Sequence, residues 1–178
     1  KPYRGWKATF FEGGTRVPFF MQLPGVIAPG SQFTAPVSHF DIFATSAALA
    51  GVQPPADRVI DGVNLIPFAR GEQGGRPHEQ MFWRSGAYQV ARSGDWKLQV
   101  NQTQDKLWLF NLQDDPTEQH NLVDAEPARV KELLAQPAEF NSQQKAPLWP
   151  SLVEAPILID KPLNRPQTID DEFIYWSN

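Results

Sequence analysis

The sequence predicts an α/β fold to which a smaller α+β part with an antiparallel sheet is appended. A short apolar run over residues 19–23, bounded by prolines, suits a strand buried on both faces of a larger sheet. Apolar residues then recur at helical spacing from Phe40 to Ala48. Beyond residue 80 the pattern changes to period two, which is typical of strands.

The first helix has clear start and stop signals. Ser38, followed three residues later by Asp41, resembles a capping box in which Asp replaces the usual Glu or Gln. Gly51 and the prolines at 54 and 55 then stop the periodic segment. We therefore expect a helix that begins near His39 and ends near Gly51.

The period-two region predicts an antiparallel meander of four strands. The candidate strands are residues 81–84, 88–92, 96–101 and 107–112, separated by turn-forming segments. In the third strand apolar and polar residues alternate, so we expect one buried face and one face in water. The apolar set is Trp96, Leu98 and Val100, and the polar set is Lys97, Gln99 and Asn101. Alternation also favours a core position for Trp108.

A second helix is expected after the sheet. Asp124 is a candidate N-cap, and Pro127 suits the first helical turn. Val130, Leu133 and Leu134 give an apolar stripe, and Pro137 is expected to end the helix. The residues from 141 onward are rich in proline, and we expect them to wrap over the body of the protein.

Residues 5–18 contain a lone lysine, an apolar run and a double-glycine turn. Lys7 lies at the edge of a segment expected to be buried, and a buried ammonium needs an anionic partner. Gly13 and Gly14 allow a tight turn or a close backbone approach. Glu12 and Arg16 lie four residues apart around these glycines, which favours a structural ion pair that fixes the turn.

This segment resembles the sulfatase family, the arylsulfatases and their relatives in the alkaline phosphatase superfamily. Residues 5–18 match the family pattern G-x-K-x-x-x-x-E-G-G-x-R-x-P. Residues 61–67 resemble its D-G-x-S-L-x-P turn, and residues 115–122 resemble its D-P-x-E-x-x-N-L turn. The helix segment at 38–51 is also similar, with Ala44 in place of the commoner proline. The resemblance extends from residue 1 to about residue 134.

The resemblance implies the C-terminal portion of an alkaline-phosphatase-like sulfatase fold. Residues 1–75 would end the catalytic α/β domain, residues 76–140 would form a small antiparallel-sheet subdomain, and residues 141–178 would form a wrapping tail. The implied reaction is hydrolysis of a sulfate ester. By this resemblance Lys7 would be the catalytic lysine that binds the sulfate. We place Trp6 at the rim of the substrate pocket because it lies beside Lys7 in the sequence.

Other parts of the sulfatase machinery have no counterpart in these residues. The chain has no cysteine and no C/S-x-P-S/A-R motif, which in the family carries the formylglycine nucleophile. The family's metal-ligating aspartates are also missing from the sequence. The formylglycine and the Ca²⁺ that the resemblance implies would therefore be held outside this chain, and the missing N-terminal part of the sulfatase would be its partner.

Two other functions stay open from the residues alone. A phosphoester or phosphonate ester hydrolase of the same superfamily could use Lys7 on a similar anion. A non-catalytic interaction domain would instead pair Lys7 with an internal carboxylate. The presence or absence of a nucleophile motif upstream would separate this second alternative from an enzyme.

Several other classes of function are disfavoured. A net charge of −4 gives no basis for a broad phosphate-binding surface, so we expect no nucleic-acid partner. No apolar run approaches the roughly 20 residues that span a bilayer, so we expect no membrane partner. Resemblance favours a periplasmic or extracellular location. The acidic run at 170–172 invites a calcium site, but a solvated acidic turn is the better interpretation because the alternating ligand pattern is absent.

The histidines show no metal-ligand spacing and receive structural interpretations. We expect His39 to have a structural role at a helix start and His78 to lie on the surface in a polar loop. His120 is expected to take part in the turn around Asp115.

Overall fold

The computed structural model describes residues 2–145, 148–149 and 151–177. The chain divides into two compact units, one of Lys1–Pro18 with Gln80–Asn178 and the other of Phe19–Glu79. The helices are α1 (Glu12–Thr15), α2 (Asp41–Leu49), α3 (Ile66–Ala69) and α4 (Pro127–Ser142), with a 3-10 turn at Gln102–Gln104. The strands are β1 (Gln80–Ser85), β2 (Tyr88–Ser93), β3 (Trp96–Asn101), β4 (Lys106–Asn111), β5 (Glu154–Leu158) and β6 (Phe173–Ser177).

The four-stranded meander that the sequence predicts is confirmed. Strands β1 to β4 pair antiparallel in the order β1-β2-β3-β4. The first two connections are two-residue turns that contain Gly86 and Gly94, whose φ angles are +57° and +58°. Glycine adopts this left-handed conformation readily, so each turn closes in register with its strands.

Both faces of this sheet are buried. On one face, Leu98 and Leu109 pack against Val130 and Leu133 of α4. The other face forms a second core with the N-terminal motif and the β5–β6 pair, and its members are Phe11, Tyr88, Val90, Trp108, Phe110, Leu112, Ile159 and Ile174. The sheet is therefore the middle layer of three.

The expectation of a solvated polar face on β3 is wrong. Lys97, Gln99 and Asn101 are each 0% exposed. They lie on the face that the N-terminal motif and the β5–β6 pair cover, where Lys97 and Gln99 contact other buried side chains and the amide nitrogen of Asn101 donates to the carbonyl of Tyr175. The position of Trp108 in the core is confirmed, because its side chain is 1% exposed.

Helix α4 begins as predicted but continues beyond Pro137. Pro127 occupies the first turn, while the N-cap is Glu126 rather than Asp124. Proline inside a helix removes one backbone hydrogen bond and normally interrupts it. Tertiary contacts hold the final turn in place here, because Phe140 stacks on Phe82 at 4.5 Å between ring centroids.

Residues of the C-terminal segment complete the second core. Strands β5 and β6 pair antiparallel, with Ile157 opposite Ile174. Just after β5, the backbone N–H of Ile159 donates a 2.9 Å hydrogen bond to the carbonyl of Glu172.

The second unit, Phe19–Glu79, contains helix α2 close to its predicted bounds. The carboxylate of Asp41 accepts a 2.7 Å hydrogen bond from the N–H of Ser38, which is one of the two bonds of a capping box, while the N-cap residue is Phe40 rather than Ser38. The hydroxyl of Thr45 accepts a 3.0 Å hydrogen bond from the N–H of Leu65, which ties the helix to the segment before α3.

The prediction of a buried strand over residues 19–23 is wrong. The structure assigns no strand to these described residues, and Phe20 is 91% exposed. A strand is stabilised by its ladder of hydrogen bonds to a neighbour. Every strand among the described residues belongs to the other compact unit and pairs within it.

The histidines have different environments. His78 is not a surface residue, because its ring contacts the buried carboxylate of Asp41. His39 is exposed and its ring lies against Phe40. The turn role expected for His120 is confirmed, because its backbone N–H donates a 2.7 Å hydrogen bond to Asp115.

The acidic run at 170–172 is not simply a solvated turn, because two of its residues form ion pairs. Asp171 accepts a 2.7 Å hydrogen bond from the ammonium of Lys161, and Glu172 forms ion pairs with Arg4 and Lys106. Among the described residues, no helix is both long and apolar enough to cross a membrane.

Candidate functional site

The candidate site is the turn that carries Lys7. The N–H of Thr9 donates a 2.8 Å hydrogen bond to the carbonyl of Trp6, so Lys7 occupies a closed turn. The hydroxyl of Thr9 closes the same turn from the other side, because it accepts a 3.2 Å hydrogen bond from the N–H of Trp6. Gly5 enters the turn with φ +78°, a conformation that a residue with a side chain rarely adopts. The backbone around Lys7 is therefore closely defined.

The two glycines of the motif lie directly against this turn. The N–H of Gly13 donates a 2.7 Å hydrogen bond to the carbonyl of Arg4. A Cβ atom added at Gly13 would lie 2.4 Å from the carbonyl oxygen of Gly5, and one added at Gly14 would lie 2.0 Å from that of Thr9. Helix α1 therefore packs backbone to backbone on the Lys7 turn, which explains why the motif has glycine at both positions.

Lys7 itself is exposed. Within the described part of the chain it has no ion-pair partner, which argues against the alternative in which Lys7 pairs with an internal carboxylate. The neighbouring Trp6 is half-buried, and its indole N–H donates a 2.8 Å hydrogen bond to the carbonyl of Leu158. The turn thus presents a cation to solvent, and a hydrogen bond to β5 fixes the aromatic ring of the preceding residue.

Glu12 has a different main partner from the one that the sequence predicts. Glu12 is 4% exposed, and its carboxylate lies 2.8 Å from the ammonium of Lys97. The guanidinium of Arg16 is 3.9 Å away and mostly exposed, and it lies over the ring of Tyr3. Lys97 was expected in water on β3, so spacing along the chain could not reveal this pair.

A second carboxylate completes a buried ion cluster, which consists of Glu12, Lys97 and Glu118. The ammonium of Lys97 lies 3.0 Å from Glu118, whose carboxylate also accepts a hydrogen bond from the backbone N–H of Glu12. The side-chain amide of Gln99 donates a 3.2 Å hydrogen bond to Glu118. The hydroxyl of Tyr88 donates a hydrogen bond to the side-chain oxygen of Gln99.

The network reaches back to the N-terminal motif. The same hydroxyl of Tyr88 accepts a 3.1 Å hydrogen bond from the N–H of Phe10, two residues before Glu12. Tyr88 of β2 therefore holds the backbone of the motif at Phe10, and Lys97 of β3 holds the side chain of Glu12.

The ion cluster holds two carboxylates and one ammonium away from water. Burial raises the pKa of Glu118, although the nearby charge of Lys97 opposes this shift. Burial also raises the pKa of Tyr88 well above its ordinary value, so its hydroxyl keeps its proton and can donate. Glu118 adopts φ +57°, an uncommon conformation for a residue with a side chain, which aims its carboxylate inward.

Sequence reasoning singled out neither Lys97 nor Glu118 as a site residue. The available signals were a lysine in the centre of an alternating strand and the glutamate of the turn at 115–122. Only the covering layer on the polar face of β3 brings these residues to Glu12.

Comparison with known proteins decides the family. Residues 4–144 match the family described as N-sulphoglucosamine sulphohydrolase, C-terminal. The chain belongs to this sulfatase family. The match covers the Lys7 turn, the four-stranded sheet and helix α4.

Individual sulfatases are also similar in sequence. Steryl-sulfatase of Rattus norvegicus is 41% identical over 114 residues, which are 64% of this chain and 19% of that protein. Choline-sulfatase of Rhizobium meliloti (strain 1021) is 37% identical over 123 residues, which are 67% of this chain and 23% of that protein. The chain therefore spans about a fifth of the length of these sulfatases.

Solved structures show the same architecture. A Bacteroides thetaiotaomicron structure, concerned with the metabolism of multiple glycosaminoglycans, superposes with a TM-score of 0.67 at 26% identity. It covers 80% of this chain, which corresponds to 32% of that protein. The crystal structure of Ps i-CgsB gives a TM-score of 0.61 at 26% identity over 71% of this chain and 29% of that one. These neighbours have the alkaline-phosphatase-like sulfatase fold, so the predicted fold class is confirmed.

The sulfatase relatives suggest a metal-dependent enzyme. Among the described residues, however, no group of three or more His, Cys, Asp or Glu side chains could hold a metal ion. The described residues therefore do not fit a resident Ca²⁺ site.

A second charged group lies beside the sulfatase motif. Arg4, just before the Lys7 turn, forms ion pairs with Asp160 and Glu172. Burial opposes ionisation of Glu172, but hydrogen bonds from Lys106 and Arg4 outweigh it and lower the pKa of this carboxyl to about 2. These pairs join the start of the motif to the segments around β5 and β6.

Proposed function

We propose that this chain is the C-terminal part of a sulfatase that hydrolyses sulfate esters, and that Lys7 binds the sulfate group. The supporting observation is that Lys7 is exposed without an ion-pair partner among the described residues, on a turn whose backbone is closely packed. The buried Lys97, in contrast, is neutralised by two carboxylates and is not available to an anion.

The ammonium of Lys7 would donate a charge-assisted hydrogen bond to a sulfate oxygen. As the ester bond breaks, negative charge is redistributed over the sulfate and the leaving oxygen, and a fixed cation stabilises that charge. Trp6 would lie at the rim of the substrate pocket, because it precedes Lys7 in the turn and its indole N–H donates a hydrogen bond to the carbonyl of Leu158.

The remaining parts of the reaction would come from outside this chain. We propose that the missing N-terminal part of the sulfatase supplies the formylglycine nucleophile and the Ca²⁺ ligands. Residues 1–75 would close the catalytic domain, residues 76–140 would form the small subdomain and residues 141–178 the tail. A periplasmic or extracellular location and the absence of nucleic-acid and membrane partners also remain proposals. The names of the relatives point to several substrates, so we propose only the shared class, a sulfate ester.

Replacement of Lys7 in the full-length protein tests this proposal. Lys7→Ala should lower kcat for nitrophenyl sulfate by about 10²–10³, the usual effect of losing one preorganised donor. The melting temperature should stay close to that of the wild type, because the side chain is exposed. Lys131→Ala, which removes an exposed lysine from α4, is the matched control and should leave both quantities unchanged.

Lys7→Arg tests whether the compact shape of the ammonium matters in addition to its positive charge. We expect only partial recovery of kcat relative to Lys7→Ala, because a planar guanidinium does not occupy the place of an ammonium. A Lys7→Ala variant with wild-type kcat and a lowered melting temperature would show that Lys7 is structural and that the proposed sulfate site is wrong.

A further inference from the structure

We propose that Lys97 and Glu118 are positioning residues for Lys7, because they hold Glu12 and, through it, the turn that carries Lys7. This inference rests on the proposed function of Lys7. It assigns to strand β3 and to the turn at 115–122 a part in sulfate-ester hydrolysis, although neither Lys97 nor Glu118 would touch the substrate.

The first link joins β3 to helix α1. Lys97 is completely buried, and its ammonium lies 2.8 Å from the carboxylate of Glu12, the first residue of α1. A buried ammonium and a buried carboxylate stay in contact, because separation would leave each charge unpaired in the protein interior. The side chain of Glu12 is therefore fixed to the centre of the sheet.

The second link holds the backbone of the same residue. Glu118 accepts a hydrogen bond from the N–H of Glu12 and also contacts Lys97 at 3.0 Å. Its own turn is fixed by Asp115, whose carboxylate accepts 2.7 Å hydrogen bonds from the N–H groups of Gln119 and His120. Glu12 is thus held at two points, its carboxylate and its amide, by residues from two different elements.

The third link passes from α1 to Lys7. Gly13 and Gly14 follow Glu12 directly and lie against the carbonyl groups of Gly5 and Thr9 without room for a Cβ atom. A shift of α1 must therefore move the turn between Gly5 and Thr9, and Lys7 lies within it. A displacement of about 1 Å in a reacting site can cost about 10²-fold in rate.

A role in overall stability is the competing explanation for the ion cluster. Phe11 already anchors the motif in the second core, so loss of the cluster need not unfold the protein. A residue that acts only on stability should affect activity equally whether or not Lys7 is present. A residue that acts through Lys7 should lose its effect when Lys7 is absent.

A double-mutant cycle in the full-length protein makes this distinction. We expect Lys97→Met to lower kcat/KM for nitrophenyl sulfate by about 10- to 100-fold in the wild-type background. In the Lys7→Ala background the same substitution should change kcat/KM by less than about threefold. Both measurements are made at a temperature at which circular dichroism shows every variant folded.

The matched control is the next residue on the same strand. Leu98 lies on the opposite face of the sheet and packs against α4, so Leu98→Ala should lower the melting temperature without touching α1. Its effect on kcat/KM should be the same in both backgrounds. Glu118→Gln keeps the size of the side chain and should repeat the result of Lys97→Met if that variant does not fold.

The possible outcomes separate the two proposals. Equal losses for Lys97→Met and Glu118→Gln in both backgrounds would overturn the positioning role and leave the sulfate site at Lys7 intact. A kinetically silent Lys7→Ala variant would overturn the sulfate site and this inference with it. Losses confined to the background that contains Lys7 would support both.

Discussion

The ring Nε2 of His78 lies 2.8 and 3.0 Å from the two carboxylate oxygens of Asp41, a residue 37 positions earlier. The side chain of Asp41 is completely buried and also accepts hydrogen bonds from the N–H groups of Ser38 and Val63. One carboxylate therefore joins the start of α2, the turn at residues 61–67 and the end of the unit that contains them.

The first prediction concerns His78. His78→Ala should lower the free energy of unfolding by about 1–3 kcal/mol, because it removes one donor from a buried carboxylate. His39→Ala should change it by less than about 0.5 kcal/mol, because His39 is exposed. Urea denaturation of the two variants checks the difference, and equal midpoints would contradict the assigned role of His78.

The second prediction concerns the glycines of the motif. Gly14→Ala should lower the free energy of unfolding by about 1–3 kcal/mol or more, because the new Cβ would lie 2.0 Å from the carbonyl oxygen of Thr9. Gly74→Ala is the matched control, since a Cβ at Gly74 meets no atom within 4 Å. Thermal melting should show a loss for the first variant and little change for the second. Similar melting temperatures would contradict the close packing of α1.

The third prediction uses the lowered pKa of Glu172. Its pKa falls from 4.5 to about 2 in the folded protein, so its stabilising effect is present above pH 4.5 and is lost as the pH falls toward 2. About a third of the side chain is exposed, and solvent screening reduces the expected effect to about 1 kcal/mol. Glu172→Gln should therefore flatten the acid limb of the stability profile measured by urea denaturation, and an unchanged limb would contradict this.

The fourth prediction uses the opposite shift at Glu118. Burial raises its pKa above the ordinary value of 4.5, so its contribution is present below pH 4.5 and is lost as the pH rises through the raised pKa. The wild type should therefore lose unfolding free energy relative to Glu118→Gln as the pH rises through this window. Urea denaturation across this pH range checks the sign. A difference between the two proteins that stays constant with pH would show that Glu118 titrates normally.

The fifth prediction concerns the 178-residue chain by itself. It should bind a dye that reports exposed apolar surface, because Phe20 is 91% and Phe43 53% exposed. It should show no hydrolysis of nitrophenyl sulfate, because the chain has no cysteine or other residue in the family's nucleophile motif. Fluorescence titration and an activity assay test the two statements. A monomer with a sharp melt and no dye binding would contradict the first, and metal-dependent turnover the second.

Local patterns predicted those elements whose structure depends on near neighbours in the chain. The strands β1 to β4 follow from alternation and turn glycines, and α2 follows from its capping residues. The prediction from polarity that Lys97 faces water was wrong, because a polar residue in a strand faces water only when no further layer covers it. The covering layer comes from residues 10–12 and from β6, which lie far from β3 in sequence.

The same reason explains the incomplete prediction of the candidate site. Lys7 and its glycines lie within one short motif, so their relation was visible in the sequence. Lys97 lies 85 residues from Glu12, and no local pattern indicates that pairing. Pro137 was expected to end α4 for local reasons, whereas the stacking of Phe140 on Phe82 continues the helix.

The arrangement of the second core also has a consequence for the order in which the protein folds. Phe11 and Ile174 share that core, and Arg4 forms an ion pair with Glu172, 168 positions later. During synthesis the apolar face of β2 and β4 must therefore wait for β6 before it is fully covered. Contacts of such long sequence separation form slowly, because a long loop must close first. The nascent chain would expose its motif and one sheet face until β6 has left the ribosome, and exposed apolar surface of this kind is what a chaperone binds.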